Sequence, residues 1–169
     1  MHLTFFDMAN KIIIDENQLN KLPIRNRLDA CTLVLKNETD ESSRFDAVWM
    51  AGEIAADNTG TPIFNEVADL MAWVLENDKN GVVKHEACYQ IAALDMREKI
   101  PNLTRTALND RSIIARHEAI EALGLMGVFD SKELLSQATN DPNPEIQETA
   151  WLVIKRLQRL EKLMKSSKN

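Results

Sequence analysis

The sequence predicts an all-helical protein, an α-solenoid of about four helical hairpins stacked side by side. The composition is 44% hydrophobic and 27% charged, with 5 Gly, 5 Pro and 5% aromatic residues, which favours helices over a β-sandwich. The chain also repeats itself, because four segments with a helical spacing of apolar residues align at intervals of 40, 32 and 30 residues. Such a period, with two helices in each unit, is typical of a solenoid.

The first hairpin begins at residue 22. In LPIRNRLDACTLVLKN, Pro23 suits the opening turn and Asn37 the exit of a helix. The polar segment ETDESS then leads into SRFDAVWMAGEIAA, where we expect Ser42 or Ser43 to cap the second helix. Three more hairpins follow. The helices of the second hairpin read IFNEVADLMAWVLEN and VVKHEACYQIAAL, and those of the third read REKIPNLTRTALND and RSIIARHEAIEALGLMG. Those of the fourth read SKELLSQATND and EIQETAWLVIKRLQRLEKLMK. We therefore divide the chain into an N-terminal extension at 1–21, a repeat domain at 22–163 and a C-terminal tail at 164–169.

The second helices of the four hairpins share one register. We call the first residue of each aligned triplet the register position. The triplets are Phe45-Asp46-Ala47, His85-Glu86-Ala87, His117-Glu118-Ala119 and Gln147-Glu148-Thr149. Small residues in these helices, among them Ala87, Ala122 and Gly124, should let neighbours approach closely. Larger apolar residues at helical spacing, including Trp49, Trp73, Trp151, Met50, Met71 and Met126, are expected in the core.

Charge and cysteine usage narrow the classes of function. A net charge of −6 argues against nonspecific nucleic-acid binding, which requires a basic face. The apolar runs are too short to span a bilayer and the N-terminus lacks the basic flank of a secretory signal, so we expect a cytoplasmic protein without a membrane partner. Cys31 and Cys88 lie within apolar helical patterns and are expected to be reduced core residues.

The two central repeats carry the candidate site. The chain has three histidines, and two of them, His85 and His117, occupy the same register position and precede a glutamate. Neighbouring helices in a solenoid pack with axes about 8–10 Å apart, so the two imidazoles can approach one ion while Glu86 or Glu118 adds an oxygen ligand. Such a donor set suits a non-haem Fe(II) centre, and Mn or Zn would also tolerate it.

A structural interpretation of the same residues stays open. A glutamate near the start of a helix is stabilised by the helix dipole and can cap free amides. Because all four repeats carry an acidic residue after the register position, the acid is partly architectural. Histidine distinguishes the central two repeats, so the histidines carry the functional hypothesis.

These motifs resemble a known family. SSRFDAVWMAGEI, KHEACYQIAAL, ARHEAIEALGLMG and DPNPEIQETAWLVIKRLQRLE together resemble the N-terminal half of deoxyhypusine hydroxylase, a HEAT-repeat metalloenzyme. The resemblance runs from about Leu22 to Glu161. More generally the helices are similar to the HEAT-like repeats of phycobilin lyases, which serve mainly as scaffolds.

The resemblance implies a site and a reaction. In deoxyhypusine hydroxylase two similar halves face each other, each contributes two His-Glu motifs, and together they hold a di-iron centre that hydroxylates a modified lysine on a translation factor. By motif, the metal-binding residues here would be His85, Glu86, His117 and Glu118. No separate catalytic or cofactor-binding residue is singled out.

The 169 residues hold two such motifs, half of the family's set. We expect a homodimer to restore the set across a two-fold axis, with two Fe(II) ions per dimer and a protein substrate that carries a lysine-derived side chain. The protein would then be a metal-dependent monooxygenase. The alternatives are a noncatalytic HEAT-repeat module for protein–protein interaction and a scaffold for a small ligand.

Overall fold

The computed structural model describes residues 16–167. Residues 1–15, most of the predicted extension, lie outside this range. Every element of secondary structure within it is helical, which confirms the predicted fold class. The α-helices are α1 (Glu16–Leu19), α2 (Ile24–Asn37), α3 (Glu41–Ala56), α4 (Pro62–Asn77), α5 (Gly81–Ala93), α6 (Ile100–Asn109), α7 (Ile113–Leu125), α8 (Ser131–Ala138) and α9 (Pro144–Ser166), and a 3₁₀ turn at Arg97–Lys99 precedes α6.

Helices α2 to α9 form the four predicted hairpins. The second helices α3, α5, α7 and α9 pack against one another in chain order, and the first helices α2, α4, α6 and α8 form the other layer. Because every hairpin follows the same path, the second helices run parallel. They pack more closely with one another than the first helices do, so the residues at the register position are brought side by side. None of the helices in the described part of the chain is long and apolar enough to cross a lipid bilayer.

Short polar side chains set the start of each second helix. The Asn80 carboxamide oxygen accepts from the backbone N–H of Val82 at 2.8 Å, and Ser112 caps α7 in the same way. The cap of α3 differs from the prediction. Asp40 takes the role expected of Ser42 or Ser43, because the α-helix begins at Glu41 and Asp40 accepts from the Ser42 N–H at 3.2 Å.

Small residues allow the close approach of α7 and α9. Gly124 faces Val153, and a Cβ built at Gly124 would lie 2.7 Å from Val153 Cγ1. Ala87, Ala119 and Ala122 are likewise buried. The predicted role of small residues holds at these positions, because any larger side chain would separate the second helices.

A buried cation–carboxylate pair links each second helix to the next. Arg44 Nε donates to Asp78 Oδ2 at 2.7 Å, with side-chain exposures of 13% and 2%. Two further pairs repeat the contact along the stack, namely Lys84 with Asp110 and Arg116 with Asp141. Each cation directly precedes a register position, and each aspartate comes from the turn before the next second helix.

The same aspartates also start the next helix. Oδ1 of Asp78, Asp110 and Asp141 each accepts the backbone N–H two residues later, at 2.8 Å in all three turns. Each carboxylate therefore accepts a hydrogen bond within its own turn and also pairs with the cation of the preceding repeat. This double use fixes how far each second helix is shifted along its neighbour.

We expect Arg44→Met to destabilise the fold strongly, because it leaves the buried Asp78 carboxylate without its cation. The loss in the free energy of unfolding should be about 3–5 kcal/mol, measured by urea denaturation. Arg105→Met is the matched control, since its pair with Glu76 is exposed and should contribute about 0–1 kcal/mol. Equal effects of the two substitutions would contradict the importance of the buried pair.

We expect Gly124→Val to cost about 1–3 kcal/mol, because the added carbons overlap Val153 and push α7 from α9. The melting temperature followed by circular dichroism measures this loss. Ala56→Val, at the exposed end of α3, introduces the same side chain without a neighbour and is the control. A Gly124→Val protein as stable as the control would exclude a tight helix contact there.

Candidate metal centre

The four predicted ligands lie at equivalent places on α5 and α7, in the second turn of each helix. The two glutamates are buried, with 6% of Glu86 and 8% of Glu118 exposed. The two histidine side chains are open to solvent, at 38% for His85 and 43% for His117. Each imidazole therefore stands at the surface beside a carboxylate that lies deeper.

The closest contact within the set crosses from one repeat to the next. His85 Nε2 lies 3.1 Å from Glu118 Oε2. Neighbours on one helix point about 100° apart, so His85 does not share a direction with Glu86. The imidazole of one helix and the carboxylate of the following helix form the pair instead.

His117 is oriented by a residue that the sequence analysis did not select. His117 Nδ1 lies 2.8 Å from Thr149 Oγ1 on α9. The Thr149 hydroxyl donates its single hydrogen to the Glu145 carbonyl at 2.7 Å, so it accepts from His117 and Nδ1 carries the proton. The lone pair of His117 Nε2 is then free for a metal. The sequence did contain a sign of this contact. Thr149 lies two residues after the fourth register position, where the central repeats have alanine.

Glu86 is held within its own helix. Its Oε1 accepts from Gln90 Nε2 at 2.8 Å, and both side chains are buried. Gln90 in turn fills the space above Gly52, where a Cβ would lie 2.2 Å from Gln90 Oε1. Of the four predicted ligands, the structure thus brings His85 and Glu118 together and leaves Glu86 and His117 with other partners.

Burial places an electrostatic cost on Glu118. Removal from solvent raises the pKa of this carboxyl, the nearby carboxylates Glu121 and Glu86 raise it further, and His85 and His117 oppose the shift. The ionised form of Glu118 is therefore disfavoured in the metal-free fold. A bound cation would stabilise the ionised carboxylates, which is a property expected of a metal site.

One chain provides a partial ligand set. Among residues 16–167, no three His, Cys, Asp or Glu side chains cluster closely enough to hold a metal ion by themselves. The chemistry of the donors fits iron, since imidazole nitrogens and carboxylate oxygens are its common ligands. A metal ion bound at this place would need further donors in addition to those that the described residues bring together.

The cysteines do not contribute to the site. Cys31 and Cys88 are both buried and unpaired, as predicted. Burial raises the pKa of the Cys31 thiol to about 12, and it raises the pKa of Cys88 as well. Both thiols stay protonated at neutral pH, which disfavours metal ligation and nucleophilic chemistry.

Three exposed aromatic side chains lie on the helices that carry or flank the two histidines. Trp49, Tyr89 and Trp151 each lie four residues after a register position and are 49%, 47% and 52% exposed. Residues four apart share one side of a helix, so these rings lie on the same face as the histidines. The prediction that Trp49 and Trp151 pack in the core is wrong, because their helices bury the neighbouring apolar stripe against the first layer. Their place four residues after a register position could have shown from the sequence that they lie on the same face as the histidines.

Similar proteins support one family. The chain is 30% identical over 143 residues to deoxyhypusine hydroxylase of Saccharomyces cerevisiae, a match that covers 77% of this chain and 43% of the relative. It is 34% identical over 94 residues to the human deoxyhypusine hydroxylase, covering 54% of this chain and 31% of that protein. The solved structure of human deoxyhypusine hydroxylase in complex with glycerol matches with a TM-score of 0.67 and 26% identity, over 86% of this chain and 48% of the other.

This chain is a HEAT-like repeat protein that resembles deoxyhypusine hydroxylase. The resemblance predicted from the His-Glu motifs is thereby confirmed. No family model matches the chain. The matches cover less than half of the length of these deoxyhypusine hydroxylases.

We expect Glu118→Gln to stabilise the metal-free protein at neutral pH. Since burial raises the pKa of Glu118 in the folded state, the folded chain binds this proton more tightly than the unfolded chain does, and ionisation destabilises the fold. The difference in melting temperature between variant and wild type should grow as the pH rises through the raised pKa and vanish in acid. Calorimetry with a chelator present measures it.

Glu148→Gln is the matched control for this prediction, because Glu148 holds the equivalent place on α9 and is exposed. Its melting temperature should follow wild type at every pH. A Glu118→Gln protein that melts below wild type at neutral pH would show that the contact with His85 outweighs the cost of burial.

Proposed function

We propose that this protein is an iron-dependent hydroxylase of the deoxyhypusine hydroxylase type, with His85, Glu86, His117 and Glu118 as metal ligands. The observation that carries the proposal is the contact of His85 Nε2 with Glu118 Oε2 at 3.1 Å. It joins an imidazole and a buried carboxylate from two consecutive repeats on one exposed face. The similarity to deoxyhypusine hydroxylases supports the same reaction class.

A second copy of the chain would complete the site. Each copy offers two imidazoles and two carboxylates on the face of the second helices, and within the described residues these do not form a closed ligand set. Two such faces opposed across a two-fold axis would supply four of each. The homodimer would hold two ferrous ions, and Mn or Zn would be accepted by the same donors.

The residues of this chain prepare the site before the metal binds. Thr149 holds the His117 ring in the tautomer that presents Nε2, and Gln90 fixes one oxygen of Glu86. These outer partners set the direction of each ligand. Bound ferrous iron would supply activation of dioxygen for hydroxylation of an aliphatic C–H bond.

The surroundings of the site suit a protein substrate with a cationic, lysine-derived side chain. Glu121 is partly exposed beside His117, with 4.0 Å between its Oε1 and the imidazole Nε2. Tyr89 presents an exposed ring on the same face. A carboxylate and an aromatic ring together favour an alkylammonium group through charge and cation–π attraction.

Anaerobic purification with Fe(II), followed by metal analysis and absorption spectroscopy, tests the proposal. We expect about one iron ion per chain in the wild type. The affinity for iron should fall at least about tenfold in the His85→Ala/His117→Ala variant, because the imidazoles are direct ligands, and a tenfold loss of affinity corresponds to about 1.4 kcal/mol. Gln147→Ala changes the equivalent residue of the last repeat and should keep its iron.

Absence of stoichiometric metal, or equal iron in the wild type and the double histidine variant, would refute the metal site. A fold that stays stable without metal and binds a protein partner equally well in both forms would instead support a noncatalytic interaction module.

A further inference from the structure

Gln90 is a buried polar residue at a place where the flanking second helices carry apolar side chains. Six residues after the cation of the buried pair, α3 and α7 carry the buried apolar residues Met50 and Ala122, and α5 carries Gln90. Burial of an amide costs free energy unless its polar atoms find partners. Packing alone therefore does not account for a glutamine at this place.

The Gln90 amide is oriented by Glu86. Its Nε2 donates to Glu86 Oε1 at 2.8 Å, one turn earlier on α5. The reverse orientation would set the amide oxygen against a carboxylate oxygen, and neither of these atoms can donate. Among the described residues, the second oxygen of Glu86 accepts no hydrogen bond. One oxygen of this candidate ligand is thus held, and the other is available to a cation.

The amide occupies a space that Gly52 leaves open. Gly52 is buried on α3, the helix that packs against α5 on the side away from α7. A Cβ built at Gly52 would lie 2.2 Å from Gln90 Oε1, 2.4 Å from Cδ and 3.0 Å from Nε2. Since the overlap involves the whole amide group, the flexible Gln90 side chain would have to turn away to relieve it. A side chain at position 52 would therefore break the contact of Gln90 with Glu86.

The equivalent contact between α7 and α9 contains no polar side chain. Gly52 and Gly124 each lie eight residues after the cation of a buried pair. The side chain that Gly124 accommodates is Val153, which has no polar atom. Both glycines allow second helices to pack closely, but of the two it is Gly52 that accommodates a partner of a candidate ligand.

We infer that Gly52 is a positioning residue of the metal site, because it accommodates the Gln90 amide that holds the Glu86 carboxylate. The inference rests on the proposed function, in which Glu86 is a metal ligand. It adds the first repeat to the site, although α3 carries neither of the two histidines. Removal of such an outer partner typically lowers metal affinity about 10–100-fold, so one methyl group added to α3 should weaken iron binding.

The affinity for Fe(II), measured by anaerobic titration, tests this role. Gly52→Ala and Gln90→Ala should each lower the affinity at least about tenfold, because each removes the contact with Glu86. Gly52→Ala/Gln90→Ala should bind iron as Gln90→Ala does, since the added methyl group then has no amide to displace. Additive losses would show that Gly52→Ala acts by another route and would overturn the inference.

Gly60→Ala is the control for a general loss of stability. Gly60 lies in the turn between α3 and α4 with φ at 77°, and a Cβ built there has no neighbouring atom within 4 Å. Alanine is therefore strained at this position but contacts nothing. The variant should melt at a lower temperature than wild type and bind iron equally well. A Gly60→Ala protein that loses as much iron affinity as Gly52→Ala would count against a specific role of Gly52.

Hydrogen exchange of the Gln90 side-chain amide, followed by NMR with a chelator present, tests the contact without metal. The amide signal is identified by its absence from the Gln90→Ala spectrum. Its exchange should be slow in wild type and Gly60→Ala, because the group is buried and hydrogen-bonded, and at least about tenfold faster in Gly52→Ala.

The two measurements separate this inference from the proposed function. Equal amide exchange in wild type and Gly52→Ala, or equal iron affinity of the two proteins, would overturn the positioning role alone. A wild type that binds no iron would overturn the proposed function, and the positioning role with it.

Discussion

The buried contact between a cation on one second helix and an aspartate before the next is the constraint on which the rest of the structure depends. Arg44, Lys84 and Arg116 each reach into the following turn, where the aspartate also starts the next helix. A carboxylate so enclosed would be costly without its cation, so the two groups have to meet. Neighbouring second helices therefore cannot slide along each other without breaking it.

This constraint also builds the candidate site. Lys84 and Arg116 directly precede His85 and His117, so the contacts that fix the shift between neighbouring helices also fix the height at which each histidine lies along its helix. With α5 and α7 set in this way, His85 falls opposite Glu118. The same spacing between α7 and α9 places Thr149 against His117. Glu118 and Thr149 occupy nearly equivalent positions on α7 and α9, so the two histidines contact different side chains.

Burial of the Glu118 carboxylate lowers the stability of the metal-free fold but would favour the binding of a cation. Glu118 is buried, and its pKa is raised above the ordinary value for a carboxyl group. A fold selected only for stability would place an apolar or amide side chain there. An under-compensated carboxylate next to an open imidazole is useful when a cation is to be bound, because binding removes the cost.

The sequence by itself determined the helical hairpins, their register and the buried cysteines, because these follow from local spacing and from composition. It also selected His85, Glu86, His117 and Glu118 as ligands, which stays a prediction, and the similarity to deoxyhypusine hydroxylase, which is confirmed. Only the tertiary structure decided which histidine meets which glutamate, since that depends on the shift between neighbouring helices. It alone showed that Trp49 and Trp151 face solvent, because helical periodicity groups residues into stripes but does not say which stripe the first layer covers.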